Sequence, residues 1–353
     1  MTIGRRIALP LLLAATLTAC RSGGPTAGGP QGRRARELPP SRVKQVETAP
    51  MAIEGIYTSM TGPFDRVDVD TSDVGWITGF SSEVVDAASG ERMGAEFFCH
   101  SQLQFAWGHR LTVNATGIEA VRFPPGFGIH VGGDPADEEH KLQLFGMLLN
   151  NHVPDMHQRA KVRATIEYLT EEEAGSPPAL KELYPMHLSV SAEDAAVVSA
   201  PGAAPAAGDP AAGHCATVDG DGRHWIVPPG TQRMRNRFPT IVPFDSRVHF
   251  AAAHLHNHGE YLRLTDATTG EVVWQSDVEY EPDRRQILRI PYYASSEGFP
   301  LYADHVYEIE AFYNNTSDRP TDAMAMLYLY LATVGGEQLL FVPTPPPAAA
   351  GAG

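Results

Sequence analysis

Val162-Arg163-Ala164-Thr165-Ile166-Glu167-Tyr168 and Tyr307-Glu308-Ile309-Glu310-Ala311-Phe312-Tyr313 decide the fold. In the first stretch Val162, Ala164, Ile166 and Tyr168 alternate with Arg163, Thr165 and Glu167. In the second, Tyr307, Ile309, Ala311 and Tyr313 alternate with Glu308, Glu310 and Phe312. Successive side chains of a β-strand point to opposite faces, so a period of two marks a strand with one buried face. From residue 51 onward the pattern recurs in short segments punctuated by Gly, Pro, Asn and Asp, with hardly any helical periodicity. Only Thr170 to Leu183, carrying Glu171 to Glu173 and a Pro-Pro pair, suggests a short helix or a connector. The chain therefore reads as all-β, with two consecutive jelly-roll-like β-sandwich domains over residues 51–185 and 186–345. The boundary falls near Met186, ahead of an Ala/Pro/Gly run from Ser199 to Gly213 that reads as a flexible loop.

The 353 residues are enough for two such cores, and 43% hydrophobic content is too polar for a multispan membrane protein. A net charge of −15 argues against nucleic acid as a partner, because phosphate affinity comes from clustered Lys and Arg. Arg5 and Arg6 precede an apolar run from Ile7 to Leu17 that suits a secretory signal and is too short for a mature span. Leu17-Thr18-Ala19-Cys20 follows and resembles the bacterial lipobox, which implies a signal peptide over residues 1–19 and lipidation at Cys20. Residues 20–50, rich in Gly, Pro, Ser and Arg, then read as a flexible tether. The expected location is the cell envelope, anchored in a membrane by lipid. Arg21 in place of an Asp after that cysteine favours the outer membrane.

Lipidated Cys20 leaves Cys99 and Cys215, one per domain, in an oxidising compartment. Either they form a disulfide, or Cys99 next to His100 sits at a metal site. Histidine is abundant, 14 residues in all. A strand through Val248, Phe250 and Ala252 places His254 and His256 on one face, where two imidazoles can grip one metal ion. His258 shares that parity but adjoins Gly259, and His249 has the opposite parity. Farther on, Met324, Met326, Tyr328 and Tyr330 share one face of a strand. Methionine there is ordinarily core filler, yet a thioether beside two imidazoles is a soft donor that favours copper, especially Cu(I), over zinc.

Together these residues resemble the copper type II, ascorbate-dependent monooxygenases, the family of peptidylglycine α-hydroxylating and dopamine β-monooxygenases. The likeness rests on His254-Leu255-His256 followed by Gly259, on Asp322-Ala323-Met324-Ala325-Met326-Leu327-Tyr328, and on His224-Trp225-Ile226-Val227-Pro228-Pro229-Gly230. It covers residues 215–335 reasonably and residues 51–185 only faintly. The resemblance implies that His254, His256 and Met324 hold an oxygen-binding copper and that Tyr328 contacts substrate. It further implies an electron-transfer copper in the N-terminal domain, where His100 and His152 match two of the family's three histidines and Cys99 stands in place of the other. Cys99, His109, His130, His140 or His157 would assist there. Ala252 replaces the Arg that anchors a substrate carboxylate in the peptide-hydroxylating members, so an amidating role does not follow.

The implied activity is insertion of one atom of O2 into a C–H bond of an unidentified small-molecule or peptide substrate, with one or two copper ions per chain and an external reductant such as ascorbate. The alternatives are a non-catalytic copper-binding lipoprotein, which needs one site, and a structural envelope protein that has lost its metals. No Gly-X-Ser-X-Gly, Walker loop or His-Glu-X-X-His is present. Asp65, Asp68, Asp70 and Asp73 lack the spacing of a regular calcium loop and read as a solvated acidic turn.

Overall fold

The computed structural model describes residues 37–57, 62–118, 120–132, 140–151, 153–190, the backbone of 196–199, 224–239, 241–282, 284 and 286–339. The expected signal peptide, the lipidation site Cys20, and His152 and Cys215 lie outside these residues.

The N-terminal half contains β1 (Arg42–Glu47), β2 (Met51–Glu54), β3 (Phe64–Val69), β4 (Trp76–Asp86), β5 (Phe98–Phe105), β6 (Arg110–Ala115), β7 (Ala120–Arg122), β8 (Phe127–His130), β9 (Leu142–Leu148), β10 (His157–Leu169), α1 (Glu171–Ala174) and β11 (Lys181–Glu182). One sheet runs β1-β10-β4-β8-β11, with β2 beside β10 and β7 beside β4; the other runs β3-β9-β5-β6. The C-terminal half contains β12 (Tyr184–Ser189), β13 (Ala196–Ser199), β14 (His224–Val227), β15 (Gly230–Phe238), β16 (Ser246–Leu255), β17 (Gly259–Asp266), β18 (Glu271–Asp277), β19 (Glu279–Tyr280), β20 (Ile287–Arg289), β21 (Tyr293–Leu301), β22 (Tyr307–Asn315) and β23 (Thr321–Thr333). Here β12-β23-β16-β21, with β14 beside β23, forms one sheet and β13-β15-β22-β17-β18 the other, while β19 and β20 pair separately. Two successive β-sandwiches result, as the alternating segments predict. Among the described residues no helix is long and apolar enough to cross a membrane.

The deciding stretches sit as their periodicity requires. Val162, Ala164, Ile166 and Tyr168 are buried on β10, and Tyr307, Ile309, Ala311 and Tyr313 on β22. The connector after β10 is a single helical turn closed by a capping box between Thr170 and Glu173, with Glu171 to Glu173 at the favourable N-terminal end of the helix dipole.

Two boundaries move. The segment expected to be tether contains β1, which pairs antiparallel with β10 from Arg42↔Tyr168 to Glu47↔Arg163. It is an edge strand with exposed Val43 and charged Lys44 and Glu47, and its composition blends into the polar segment before it. Tyr184 and Pro185 already pair with β23, so the second sandwich begins ahead of Met186.

The acidic residues 65 to 73 are divided among separate partners. Asp65 accepts from the Ala49 N–H, Asp68 from the Gln143 amide, and Asp73 from Lys44 and Tyr168.

The two sandwiches meet across one face of the β16–β23 pair. Register sets Phe250 opposite Tyr330, Ala252 opposite Tyr328 and His254 opposite Met326. At the Phe250 end, Phe123 of the N-terminal half packs on Tyr330 at 4.9 Å and edge-on against Phe250 at 6.0 Å between ring centroids. One continuous buried cluster includes Leu103 and Phe123 from the first half and Phe250 and Tyr330 from the second. A bulge between Val248 and Phe250 breaks the parity expected for His249. Its ring lies 4.0 Å from that of Phe127 in the other half, and its Nδ1 lies 3.0 Å from the Ser295 carbonyl.

Candidate metal centre

The other end of the same strand pair is polar. β16 ends at Leu255 and the chain crosses to the facing sheet through His256, Asn257 and His258, so His256 lies in the crossing and not on the strand. His258 adopts φ 71°, and its carbonyl accepts from the Asn314 N–H. The His256 N–H is placed by the Met324 carbonyl at 3.3 Å and the Tyr313 hydroxyl at 3.2 Å, and that hydroxyl donates to the Met324 carbonyl at 2.6 Å. Tyr313 is a buried residue of the facing sheet, so it fixes the crossing against β23 from inside the core.

On the opposite edge of β23, β14 brings His224 level with Met324 and Ile226 level with Asp322. Met324 thus stands between His224 on one neighbouring segment and His256 on the other, with Asp322 diagonal to His224. The Asp322 carboxylate spans both rings: Oδ1 is 3.1 Å from His224 Nδ1, and Oδ2 is 2.8 Å from His256 Nδ1. The His254 ring lies 5.2 Å from that of His256, which in turn lies 5.2 Å from that of His224. Among the described residues, His224, His256 and Asp322 are the group of His, Cys, Asp and Glu whose donor atoms, all within 4.8 Å of one another, can hold a metal ion.

Burial raises the pKa of the Asp322 carboxyl, but the hydrogen bonds from His224 and His256 outweigh it and hold the group well below the ordinary range. His254 is 7% exposed, and its pKa lies well below the usual imidazole value because of burial first and the neighbouring rings of His256, His100 and His224 second. Its Nδ1 is buried with no hydrogen-bond partner. An unpaired nitrogen in a low-dielectric setting is costly, and a neutral imidazole is the form that ligates metals. The residues therefore fit a metal: they offer several imidazoles, a carboxylate that orients rings or ligates, and a nearby thioether.

A cleft of about 300 Å³ opens onto this cluster. His254, His256, Asn257, Pro320, Thr321 and Asp322 line it from the second half, and Cys99, Thr116, Leu149 and Asn151 from the first. His100 lies near enough to His256 and His224 that, after burial and Arg110, their charges help push its pKa down to about 3.

Of the expected residues the structure brings His254 and His256 together and places Met324 alongside, while His100 does not line the cleft. Tyr328 is elsewhere: it is buried against His187 at 5.2 Å and does not line the cleft, because the strand carries it toward the seam between the sandwiches. Of the assisting histidines, His130 binds Glu171 at 2.7 Å, His109 and His140 pack around Phe105, and His157 is exposed at the start of β10. The two residues that ligand reasoning missed are His224 and Asp322. Both lie inside motifs quoted above, but their meeting depends on β14 pairing with a strand about a hundred residues away, which no local spacing reveals.

No protein-family model matches this sequence. No curated protein matches it. Among solved structures the chain is similar to PBCV-1 VP54 as fitted into a reconstruction of the virophage Sputnik, at 8% identity over 88% of this chain and 99% of that one, with a TM-score of 0.35. It is also similar to PNGase F, a glycosylasparaginase from Flavobacterium meningosepticum, at 10% identity over 83% and 96%, with a TM-score of 0.36. Likeness at this level bears on neither the metal nor the chemistry of the cleft.

Proposed function

We propose that this chain is a copper protein whose cleft carries out O2-dependent monooxygenation, as its sequence resemblance implies. The observation that carries the reading is the buried, unpartnered Nδ1 of His254 on the wall of a cleft that also exposes His256 and Asp322. His224, His254 and His256, with Met324, supply the copper donors. Copper bound there supplies a one-electron couple and open coordination positions for O2. The protein's own residues do the rest. Asp322 fixes the tautomer and orientation of the His224 and His256 rings by occupying Nδ1 of each, leaving Nε2 for the metal. Tyr313 locks the crossing that carries His256. Leu149, Leu255, Ile287 and Pro320 give the cleft apolar walls that limit water around a bound substrate.

A second reading, a copper-binding protein without catalysis, is favoured by Cys99 standing where the family places a histidine for the electron-transfer copper. Oxygen uptake separates the two. Copper-loaded protein given ascorbate should consume O2 above the rate of free copper, and His256→Ala should abolish it. Copper bound through the same histidines with no O2 uptake supports the second reading. Failure to bind copper at all contradicts both.

A further inference from the structure

The N-terminal wall of the cleft carries donors of its own. The pairing of β5 with β9 shifts register between Phe98↔Leu148 and His100↔Met147, so Cys99 is the extra residue of a bulge. A regular strand would turn Cys99 and His100 to opposite faces, whereas a bulge re-aims one of them. Here Cys99 Sγ and His100 Nδ1 come within 3.2 Å. Cys99 is 5% exposed, packs with Phe145 and Met147, and still lines the same cleft as His254, His256 and Asp322. The orphaned His254 Nδ1 is an independent sign that this wall faces a ligand.

We propose that Cys99 is a thiolate ligand of the metal held by His256, so that both halves of the protein close one mixed imidazole–thiolate site. The proposal rests on the metal reading above and deepens it. Ligation replaces the S–H proton with the metal, and that proton leaves to solvent; no electron is transferred. A soft sulfur donor beside imidazoles strengthens the preference for copper over hard cations. His100, bonded to Cys99 and stacked on Phe145 at 5.3 Å between centroids, positions the thiol.

Cobalt(II) is the probe, because it takes the same donors without oxidising the thiol and gives a near-ultraviolet sulfur-to-metal charge-transfer band only when a thiolate is bound. The full chain titrated with Co(II) should develop that band to saturation, and both Cys99→Ser and His256→Ala should lose it. Cys99→Ser should keep its circular dichroism and still bind Co(II), showing visible d–d bands alone. Co(II) bound by wild type in a His256-dependent way with no charge-transfer band overturns the thiolate while leaving the metal reading intact. A band that survives His256→Ala overturns the shared site. Absence of any Co(II) or copper binding overturns both readings.

Discussion

The β16–β23 pair presents one face with two different ends. At Phe250 and Tyr330 it is apolar, fully buried and sealed by Phe123 of the other half. Four residues along, at His254 and Met326, the same face reaches the imidazole cluster, and His254 lines a cleft. Phe250 and His254 follow the same pleat and register, so side-chain identity changes the character of that face, while the crossing after β16 adds His256 and β14 adds His224. The difference suggests a division of labour in which aromatic packing supplies the adhesion between the two sandwiches and the polar end supplies the donors.

The largest expected effect comes from the sealed end. Phe250→Ala removes a fully buried ring and should cost about 3–5 kcal/mol in urea unfolding, while folded protein still binds metal. Equal loss of metal and stability there would show that the two ends do not act separately. The mirror-image variant is His256→Ala, which should abolish metal binding and cost only about 1–3 kcal/mol, the penalty of depriving the half-buried Asp322 of one partner. Asp322→Asn keeps shape but loses charge and should weaken metal affinity about 10–100-fold, measured by competition with a chelator. Met324→Ile keeps the volume near constant and should lower Cu(I) affinity about tenfold with little change in fold. If Met326→Ile has that effect instead, the donor face is set two residues farther along β23.

The smallest effect is expected at His109, in the turn between β5 and β6. Burial pushes His109 down to about 4, below the roughly 6.5 of an unfolded imidazole. Between those values the unfolded chain binds the extra proton, so stability is complete above the unfolded value and declines as pH falls through the window. Comparison of urea midpoints at neutral and mildly acidic pH should show a dependence that His109→Gln flattens by roughly 1 kcal/mol, and metal binding at neutral pH should not change.

Much of this was legible in the sequence for a physical reason. Period-two burial is local, so β10 and β22 could be read residue by residue; the same parity held for His254, whereas His256 lies in the crossing beyond the end of β16. Bulges cost one residue and leave no mark on composition. The one at His249 therefore turned a ring of opposite parity onto Phe127, and the one at Cys99 set a thiol beside His100. The contribution of His224 and Asp322 depended on long-range register, and β1 was masked by the polar segment it follows. Tyr328 had the right parity but the wrong end of the face.

Copper titration of the full chain under reducing conditions, with metal counted per chain by mass spectrometry, tests the central claim most directly. The account predicts one tightly held copper that is lost in His256→Ala and retained by the folded fraction of Phe250→Ala. Wild-type protein that retains no copper, or that retains it undiminished in His256→Ala, would contradict it.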